Sequence, residues 1–336
     1  MDGRSSTPNP SLRSRLRNVL PTVYSRNMKR LAALFFLLTA AGTLQAETPT
    51  LKFEGAEVET YKTASGDDLK IYIFNPANHD PAKDSRPAIV FFFGGGWNGG
   101  TPGQFEQHSR YLASRGMVAM TADYRVKSRQ NTTPKECVAD GKSAVRWVRA
   151  NAKRLGVDPD QVAAGGGSAG GHVGATTGFI DGFDDPADDA KISSKANALV
   201  LFNPVYDNGP TGWGHDRVKE YWEGFSPAHN ITKDDPPAVV FLGSKDPLIP
   251  VATAEKFKAD MIAVGLKSDL HVYEGQPHGF FNQSKGGKDI FLDTIQKMDA
   301  FLRETGLLKG EPTEEQLNAA LNPEKPKANS AKKKKS

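Results

Sequence analysis

The chain has a single cysteine, no close array of candidate metal ligands and no apolar run long enough to cross a bilayer. Cys137 has no second cysteine to pair with among the 336 residues, so an internal disulfide is excluded and the fold must rest on its core. No two histidines lie at helical or otherwise close spacing with carboxylates, so we expect no metal and no cofactor. The apolar segment near the start, residues 31–41, is too short for a transmembrane helix.

A strongly basic folded surface is also lacking. The formal net charge is +4, but residues 1–46 contribute +6 and residues 309–336 contribute +3, which leaves about −5 for the segment between them. A nucleic-acid-binding protein carries its basic residues clustered on the folded part. We therefore expect no nucleic acid partner.

The first 46 residues have the pattern of an export signal. Met28-Lys-Arg30 is basic, residues 31–41 are apolar, and Gly42-Thr-Leu-Gln-Ala46 ends in a small residue before Glu47. This order is typical of a secretory signal peptide, with Met28 as the natural initiator and residues 1–27 as an extension. We expect a periplasmic or secreted protein with no stable membrane span in its mature form; an N-terminal membrane anchor is the alternative.

The rest of the chain divides into a domain and a tail. The chain is 38% hydrophobic with 18 Phe, enough for one large α/β domain, which we place at residues 47–308. Residues 309–336 are rich in Glu, Pro, Ala and Lys and end in Lys332-Lys-Lys-Lys335. Such a composition buries too little apolar surface to order itself, so a disordered Lys-rich tail is predicted.

Strand-like and helix-like patterns alternate within residues 47–308. The first two strands, 57–62 and 69–74, are joined by a Ser65-Gly66-Asp67 turn. Further strand-like runs are 88–93, 117–123, 162–164, 198–202, 238–242 and 270–273, and helical patterns cover 104–115, 134–151, 252–264 and 289–304. This alternation predicts an α/β fold with a mostly parallel central sheet of about eight strands and helices on both faces.

Three polar side chains follow three of these strands. Ser168 lies in Gly166-Gly167-Ser168-Ala169-Gly170, Asp246 follows the strand ending at Leu242, and His278 follows the strand ending at Tyr273. The carboxyl ends of parallel strands share one edge of a sheet, and Gly-x-Ser-x-Gly describes a sharp turn that exposes a serine hydroxyl. The order Ser, Asp, His is the one that α/β-hydrolases use.

On these residues the chain resembles the α/β-hydrolase superfamily, in particular its esterase/lipase branch with hormone-sensitive lipase and bacterial carbohydrate esterases. The resemblance covers roughly residues 60–308. Its motifs are Phe93-Gly94-Gly95-Gly96-Trp97, Asp123-Tyr124-Arg125, Gly167-Ser168-Ala169-Gly170-Gly171-His172, Gly243-Ser244-Lys245-Asp246 and His278-Gly279-Phe280. That branch has His before the three glycines, and this chain has Phe93 there instead. The difference puts the rigidity of the glycine loop, or the range of substrates, in doubt.

The three residues divide the chemistry of acyl transfer among them. Ser168 is the predicted nucleophile, His278 the base that activates it, and Asp246 the group that orients the imidazole. Glu274 and Asp269 are rival acids near His278. The structural alternative for Ser168 is that it only caps a helix. His172 is a rival histidine that could take part in catalysis, but the resemblance makes it a supporting residue.

The glycines after the third strand have a separate predicted task. The carbonyl oxygen becomes negative when the serine attacks, and backbone N–H groups must stabilise it. The amide of Ala169 is one expected donor, and the resemblance assigns the others to Gly95 and Gly96. Both Gly94-x-Gly96-x-x-Gly99 and Gly165-x-Gly167-x-x-Gly170 also match a dinucleotide-binding pattern, but a dehydrogenase leaves Ser168, Asp246 and His278 unexplained.

The substrate pocket is expected near Trp97 and a loop-rich cap insertion at residues 203–228. Trp213 and Trp222 in this insertion are candidate substrate contacts, and a flap that merely covers the core is the alternative. The insertion is short, which favours small or carbohydrate-linked acyl groups, so the predicted substrate is an acetyl or feruloyl ester of a small molecule or polysaccharide, cleaved through an acyl-enzyme. The other function classes are a prolyl-oligopeptidase-like serine peptidase and a non-catalytic binding protein on the same fold.

Overall fold

The computed structural model describes residues 50–321. The expected signal segment, residues 1–46, and the Lys-rich end of the chain lie outside these residues. Within residues 50–321, no helix is both long and apolar enough to cross a membrane, and no group of His, Cys, Asp or Glu is arranged to hold a metal ion.

A single sheet of eight strands forms the centre of the domain. In chain order the strands are β1 (Glu57–Ala64), β2 (Asp67–Phe74), β3 (Arg86–Phe92), β4 (Val118–Ala122), β5 (Val157–Gly167), β6 (Leu199–Phe202), β7 (Ala238–Gly243) and β8 (Ser268–Tyr273). Their spatial order is β1-β2-β4-β3-β5-β6-β7-β8. The β1–β2 and β2–β4 pairs are antiparallel, and all the other pairs are parallel. The predicted mostly parallel sheet and its opening hairpin are confirmed.

Helices cover both faces of the sheet. In the described part of the chain they are α1 (Glu106–Ser114), α2 (Lys127–Gln130), α3 (Pro134–Ala150), α4 (Ala152–Leu155), α5 (Ala169–Phe179), α6 (His215–Val218), α7 (Trp222–Phe225), α8 (Val251–Ala263), α9 (Gln283–Glu304) and α10 (Glu314–Leu321). Residues of α3, α5 and α8 share one buried cluster, while residues of α1, α9 and α10 share the other.

Strand β3 shows how one sequence supplies both layers. Successive side chains of a strand point to opposite faces, and accordingly Val90 and Phe92 belong to the first cluster while Ile89 and Phe91 belong to the second. Every residue of this strand from Ala88 onward is fully buried. A central strand covered on both faces therefore reads as the continuous apolar run seen in the sequence.

The end of the domain differs from the prediction. The composition predicts a disordered tail from residue 309, but α10 packs against α1 and α9. Ala320 is buried in the second cluster, where Leu317 and Leu321 also pack. Its buried or half-buried apolar residues are only these three, on one face, so its order depends on a tertiary contact that local composition does not reveal. The folded domain extends to at least Leu321.

Candidate active site

Ser168 stands in a sharp turn between β5 and α5. Its backbone has φ 55° and ψ −121°, outside the regions that non-glycine residues ordinarily occupy. The glycines two residues away on each side are required by space, because a Cβ on Gly166 would lie 2.5 Å from the Phe92 carbonyl oxygen and one on Gly170 would lie 2.1 Å from it. Ser168 occupies the N-cap position of α5, yet its side chain makes no capping hydrogen bond. The helix-cap alternative is therefore wrong.

The Ser168 hydroxyl instead lies against the imidazole of His278. Ser168 Oγ and His278 Nε2 are 2.9 Å apart, and His278 Nδ1 lies 2.7 Å from Asp246 Oδ2. The Asp246 side chain is fully buried, while the His278 side chain is 20% exposed. Three residues from different strand ends thus form one hydrogen-bonded chain, with a buried carboxylate at its inner end and a partly accessible hydroxyl at its outer end.

The orientation of the Asp246 carboxylate is fixed by the loop that follows it. The backbone N–H groups of Leu248 and Ile249 donate to Asp246 Oδ1 at 2.8 and 3.2 Å. Oδ2 is therefore the oxygen that faces His278. An acceptor in this position requires the proton of a neutral imidazole on Nδ1, which leaves Nε2 free to take a proton from the serine.

The glycine loop after β3 lies beside the nucleophile. A Cβ on Gly94 would approach Ser168 Cβ to 3.1 Å. Gly95 and Gly96 have φ of 141° and 65°, a conformation that favours glycine. Within residues 50–321 neither of their N–H groups has a hydrogen-bond acceptor. Ala169 begins α5, so its N–H has no acceptor within the helix. Three backbone donors are thus available for a developing oxyanion.

Phe93 occupies the position where the resembling branch has histidine, and other contacts hold the loop. Its ring is buried and stacks on Tyr124 with 4.2 Å between centroids. The Tyr124 hydroxyl donates to the Phe93 carbonyl oxygen at 2.6 Å, and Gly94 N–H donates to Gln104 Oε1 at 2.6 Å. The peptide group between Phe93 and Gly94 is therefore held at both its C=O and its N–H without a histidine.

A third tie comes from the cap insertion. Arg217 Nη1 donates to the Gly96 carbonyl oxygen at 2.6 Å. Its guanidinium carbon lies 4.7 Å from the Trp97 ring centroid and 4.6 Å from that of Trp213. Planar guanidinium groups stack well on aromatic faces, so Arg217 links the insertion to the oxyanion loop. The sequence offered no signal for this contact, which joins segments about 120 residues apart.

The candidate substrate-contacting tryptophans have different environments. Trp97 is only 1% exposed and packs against His172, Trp213 and Phe225. The prediction that it contacts substrate is therefore wrong, because it is a core side chain behind the oxyanion loop. Trp213 is half-buried and lies against Gly96. Trp222 is half-buried and packs edge-on against His229.

Other aromatic residues of the insertion favour the flap alternative. Tyr206 and Phe225 are fully buried, and Tyr206 stacks on Phe257 of α8 at 4.4 Å. These side chains attach the insertion to the core, as large aromatic residues usually do. Trp213 keeps a position beside the oxyanion loop.

Asn203 is a site residue that the sequence analysis missed. It follows β6, is fully buried and has φ 34°. Its Oδ1 accepts from Gly279 N–H at 3.0 Å, and its Nδ2 lies 3.4 Å from His278 Nε2. Asn203 thus holds the histidine loop from the neighbouring strand end. A polar residue directly after the apolar strand at 198–202 was the available signal.

His172 lies under the site in a supporting position. It is completely buried, its Nε2 is 3.2 Å from the Phe225 carbonyl oxygen, and its ring meets Trp97 edge-on. Burial lowers the pKa of His172 to about 3, so the ring is neutral. The imidazole that contacts Ser168 is that of His278.

Comparison with known families agrees with this geometry. A family model described as BD-FAE matches residues 71–261, which is more than half of the chain, and the dienelactone hydrolase family model matches residues 216–310. Among curated proteins, esterase LipC of Mycobacterium tuberculosis is 30% identical over 58% of this chain and 53% of its own length. The isoprenylcysteine alpha-carbonyl methylesterase ICME of Arabidopsis thaliana is 26% identical over 67% of this chain and 58% of its own. The chain spans little more than half the length of these curated relatives.

Solved structures give a longer match. The apo form of Thermogutta terrifontis esterase 2 superimposes with a TM-score of 0.74 at 46% identity, over 76% of this chain and 97% of that one. The propionate-bound form of the same esterase gives a TM-score of 0.73 at 44% identity, over 77% and 97%. Since the BD-FAE model matches more than half of the chain, including all or part of six of the eight strands, this chain belongs to the α/β-hydrolase esterase/lipase family.

Proposed function

We propose that this protein is a serine-dependent carboxylic ester hydrolase. The observation that carries the proposal is the hydrogen-bonded chain Ser168–His278–Asp246, with 2.9 and 2.7 Å between successive polar atoms. A serine hydroxyl is a weak nucleophile unless a base lies within hydrogen-bond reach. The esterase names of the relatives support the same chemistry.

The reaction then proceeds in two acyl transfers. Ser168 Oγ bonds to the ester carbonyl carbon while its proton passes to His278 Nε2, and Asp246 stabilises the imidazolium. The carbon–alkoxy bond breaks, the alcohol oxygen takes that proton, and an acyl-enzyme remains. Water then attacks the acyl carbon while its proton passes to His278. The bond between that carbon and Ser168 Oγ breaks, Oγ takes the proton from His278, and the carboxylic acid leaves.

The negative oxygen of each tetrahedral intermediate is assigned to the N–H groups of Gly95, Gly96 and Ala169. Loss of one such donor typically costs about 3 kcal/mol in barrier. The three ties on the loop, from Tyr124, Gln104 and Arg217, support this assignment because preorganised donors need no rearrangement during the reaction.

We extend the proposal to the acyl group: a small one such as acetyl, or feruloyl, carried on a small alcohol or a polysaccharide. The cap insertion is short and most of its large aromatic side chains serve the core, which leaves little apolar surface for a long chain. The Thermogutta esterase has been solved with propionate and with butyrate bound, which favours short acids. We also propose export to the periplasm or medium, on the signal-like segment at residues 28–46.

Hydrolysis of p-nitrophenyl esters tests the activity directly. We expect turnover to be greatest with acetate to butyrate and to decline towards palmitate, with Ser168→Ala reduced to background. A panel of acetylated and feruloylated glycans then tests the alcohol. An inactive wild-type protein contradicts the proposal, and so does a Ser168→Ala variant of equal activity. Amino-terminal sequencing of protein recovered from cell fractions tests export: a start near Glu47 supports it, and an intact segment in the cytoplasm contradicts it.

A further inference from the structure

A polar cavity that the mechanism above does not use lies between the beginning of α1 and the beginning of α9. Its volume is about 590 Å³, within the range of small-molecule sites. Its wall includes Gln104, Gln107, His108, Asn282, Gln283 and Ser284. Four of these six side chains are amides, and Gln104, Gln107, Asn282 and Gln283 are all half-buried.

The cavity is lined by residues that follow each of the two catalytic loops in the chain. On one side, Gln104 holds Gly94 of the oxyanion loop through its Oε1 atom. On the other side, Asn282 Nδ2 donates at 2.8 Å to the carbonyl oxygen of Gly279, the residue after His278. A molecule in the cavity therefore contacts side chains that are bonded directly to both loops.

A second feature of the cavity is the buried imidazole of His108 in its wall. It is 1% exposed, and neither ring nitrogen has a hydrogen-bond partner within residues 50–321. Five phenylalanine rings surround it: Phe91, Phe105, Phe202, Phe281 and Phe291. Burial lowers the pKa of His108 to about 3, so the ring is neutral, with one donor and one acceptor. Buried polar atoms are nearly always paired, and since His108 lines the cavity, a polar molecule bound there would supply a partner for a ring nitrogen.

The lining selects among ligand chemistries. Among the described residues that line it, amide and imidazole groups dominate, Lys288 is the one cation, and there is no carboxylate. An anion needs convergent cations, and an acyl chain needs a wall that is apolar throughout; the described lining has one cation and mixes amide groups with the Phe291 ring. Gln104 Nε2 and Asn282 Oδ1 have no partner among the described residues, so the wall offers both donors and acceptors. With the Phe291 ring beside them, these groups suit a neutral molecule with several hydroxyls.

The proposed reaction decides which part of the substrate lies here. His278 returns its proton to the alcohol oxygen when the carbon–alkoxy bond breaks, so the alcohol must lie on the histidine side of Ser168. We propose that this cavity is the alcohol subsite and that it takes a sugar or other polyhydroxylated alcohol, bound by Gln104, Asn282 and His108. This inference rests on the proposed function and adds the place and the residues that recognise the leaving group.

Two variants test the subsite in different ways. His108→Phe keeps an aromatic ring in the phenylalanine cluster but removes both nitrogens. Ser284→Trp, at an exposed position of the wall, fills the cavity without a change in the core. The matched controls are His271→Phe, in strand β8, and Ser85→Trp, at an exposed position before β3. Thermal unfolding of each variant establishes that it is folded.

The readout is the ratio of kcat/KM for xylose tetraacetate to kcat/KM for butyl acetate, measured by acid release. The two substrates share the acetyl group and differ in the alcohol. We expect both cavity variants to lower the ratio about tenfold, mainly through KM for the sugar ester, as the loss of one or two hydrogen bonds implies. Both control variants should keep the wild-type ratio. Cavity variants whose ratio equals that of the wild type overturn the subsite.

The substrates also separate this inference from the proposed function. If the wild-type protein hydrolyses none of p-nitrophenyl acetate, butyl acetate and xylose tetraacetate, the hydrolase proposal fails and the subsite with it. If it hydrolyses p-nitrophenyl acetate and butyl acetate but not the sugar ester above the Ser168→Ala background, the subsite alone is overturned.

Discussion

Replacement of Asp246 by asparagine gives a sharp test of the proton path. The backbone N–H groups of Leu248 and Ile249 both donate to Oδ1. A carboxamide at this position must place its oxygen there, because its NH2 group cannot accept those bonds. Its NH2 group then occupies the place of Oδ2 and faces His278 Nδ1, 2.7 Å away in the native arrangement.

This arrangement inverts the imidazole. Because the side-chain NH2 group is a donor, His278 Nδ1 must accept its hydrogen bond and cannot carry the ring proton. That proton therefore moves to Nε2 and points at Ser168 Oγ. A base whose reactive nitrogen is already protonated cannot take the serine proton. We expect Asp246→Asn to lower kcat about ten-thousand-fold, as tautomer inversion does in serine proteases. The substitution changes shape little, so thermal stability should change far less than activity.

The assay is initial-rate hydrolysis of p-nitrophenyl acetate, with Glu274→Gln as the matched control. Glu274 is the rival acid near His278, but it is exposed and lies outside the hydrogen-bonded chain. The control should retain wild-type kcat. A loss of less than about tenfold in Asp246→Asn, where orientation by the carboxylate predicts about ten-thousand-fold, would refute the reasoning, as would an equal loss in both variants.

The remaining predictions concern the turn, the cap and a buried histidine. Gly170→Ala places a methyl group 2.1 Å from a carbonyl oxygen of β3 and should lower the free energy of unfolding by about 3 kcal/mol or more. Gly224→Ala, whose methyl group meets no atom of residues 50–321 within 4 Å, should be tolerated, and equal urea midpoints for the two variants contradict this. Arg217→Lys loses the planar stack on Trp97 and Trp213 and should lower kcat up to about tenfold, whereas the control Lys219→Ala, at an exposed position, should not. Equal kcat values in the two variants contradict the role of Arg217 in holding the oxyanion loop. The pKa of His108 is about 3 against an ordinary 6.5, so between these values the unfolded chain binds one more proton and stability falls as the pH is lowered. His108→Phe should reduce that dependence by about 1.4 kcal/mol per pH unit, and an unchanged slope in urea unfolding contradicts it.

Much of the fold could be predicted because each strand carries its own signal. A buried parallel strand is a short apolar run, and runs such as residues 88–92 and Ala238–Gly243 are plain in the sequence. The site followed from the same signals, since Ser168, Asp246 and His278 each stand shortly after such a run. Position relative to a strand end, rather than residue type alone, picked these three out of many serines and acids.

What the sequence could not supply depends on contacts between distant segments. Arg217 reaches Gly96 across the molecule, and nothing in the local pattern of either residue indicates it. Trp97 follows the glycine loop, where its position predicts a substrate contact, but Trp213 and Phe225 of the insertion pack against it and it is buried. Helix α10 is ordered by a surface that α1 and α9 provide, so its polar composition alone indicated a tail.

The central claim is that the Ser168 hydroxyl is the nucleophile. Peptide mapping by mass spectrometry after treatment with paraoxon, which phosphorylates the Thermogutta esterase, tests it most directly. The account predicts one diethylphosphoryl group, carried by Ser168, and loss of ester hydrolysis in proportion to the labelled fraction. Full activity with Ser168 labelled, or inactivation with the group on another residue, contradicts the account.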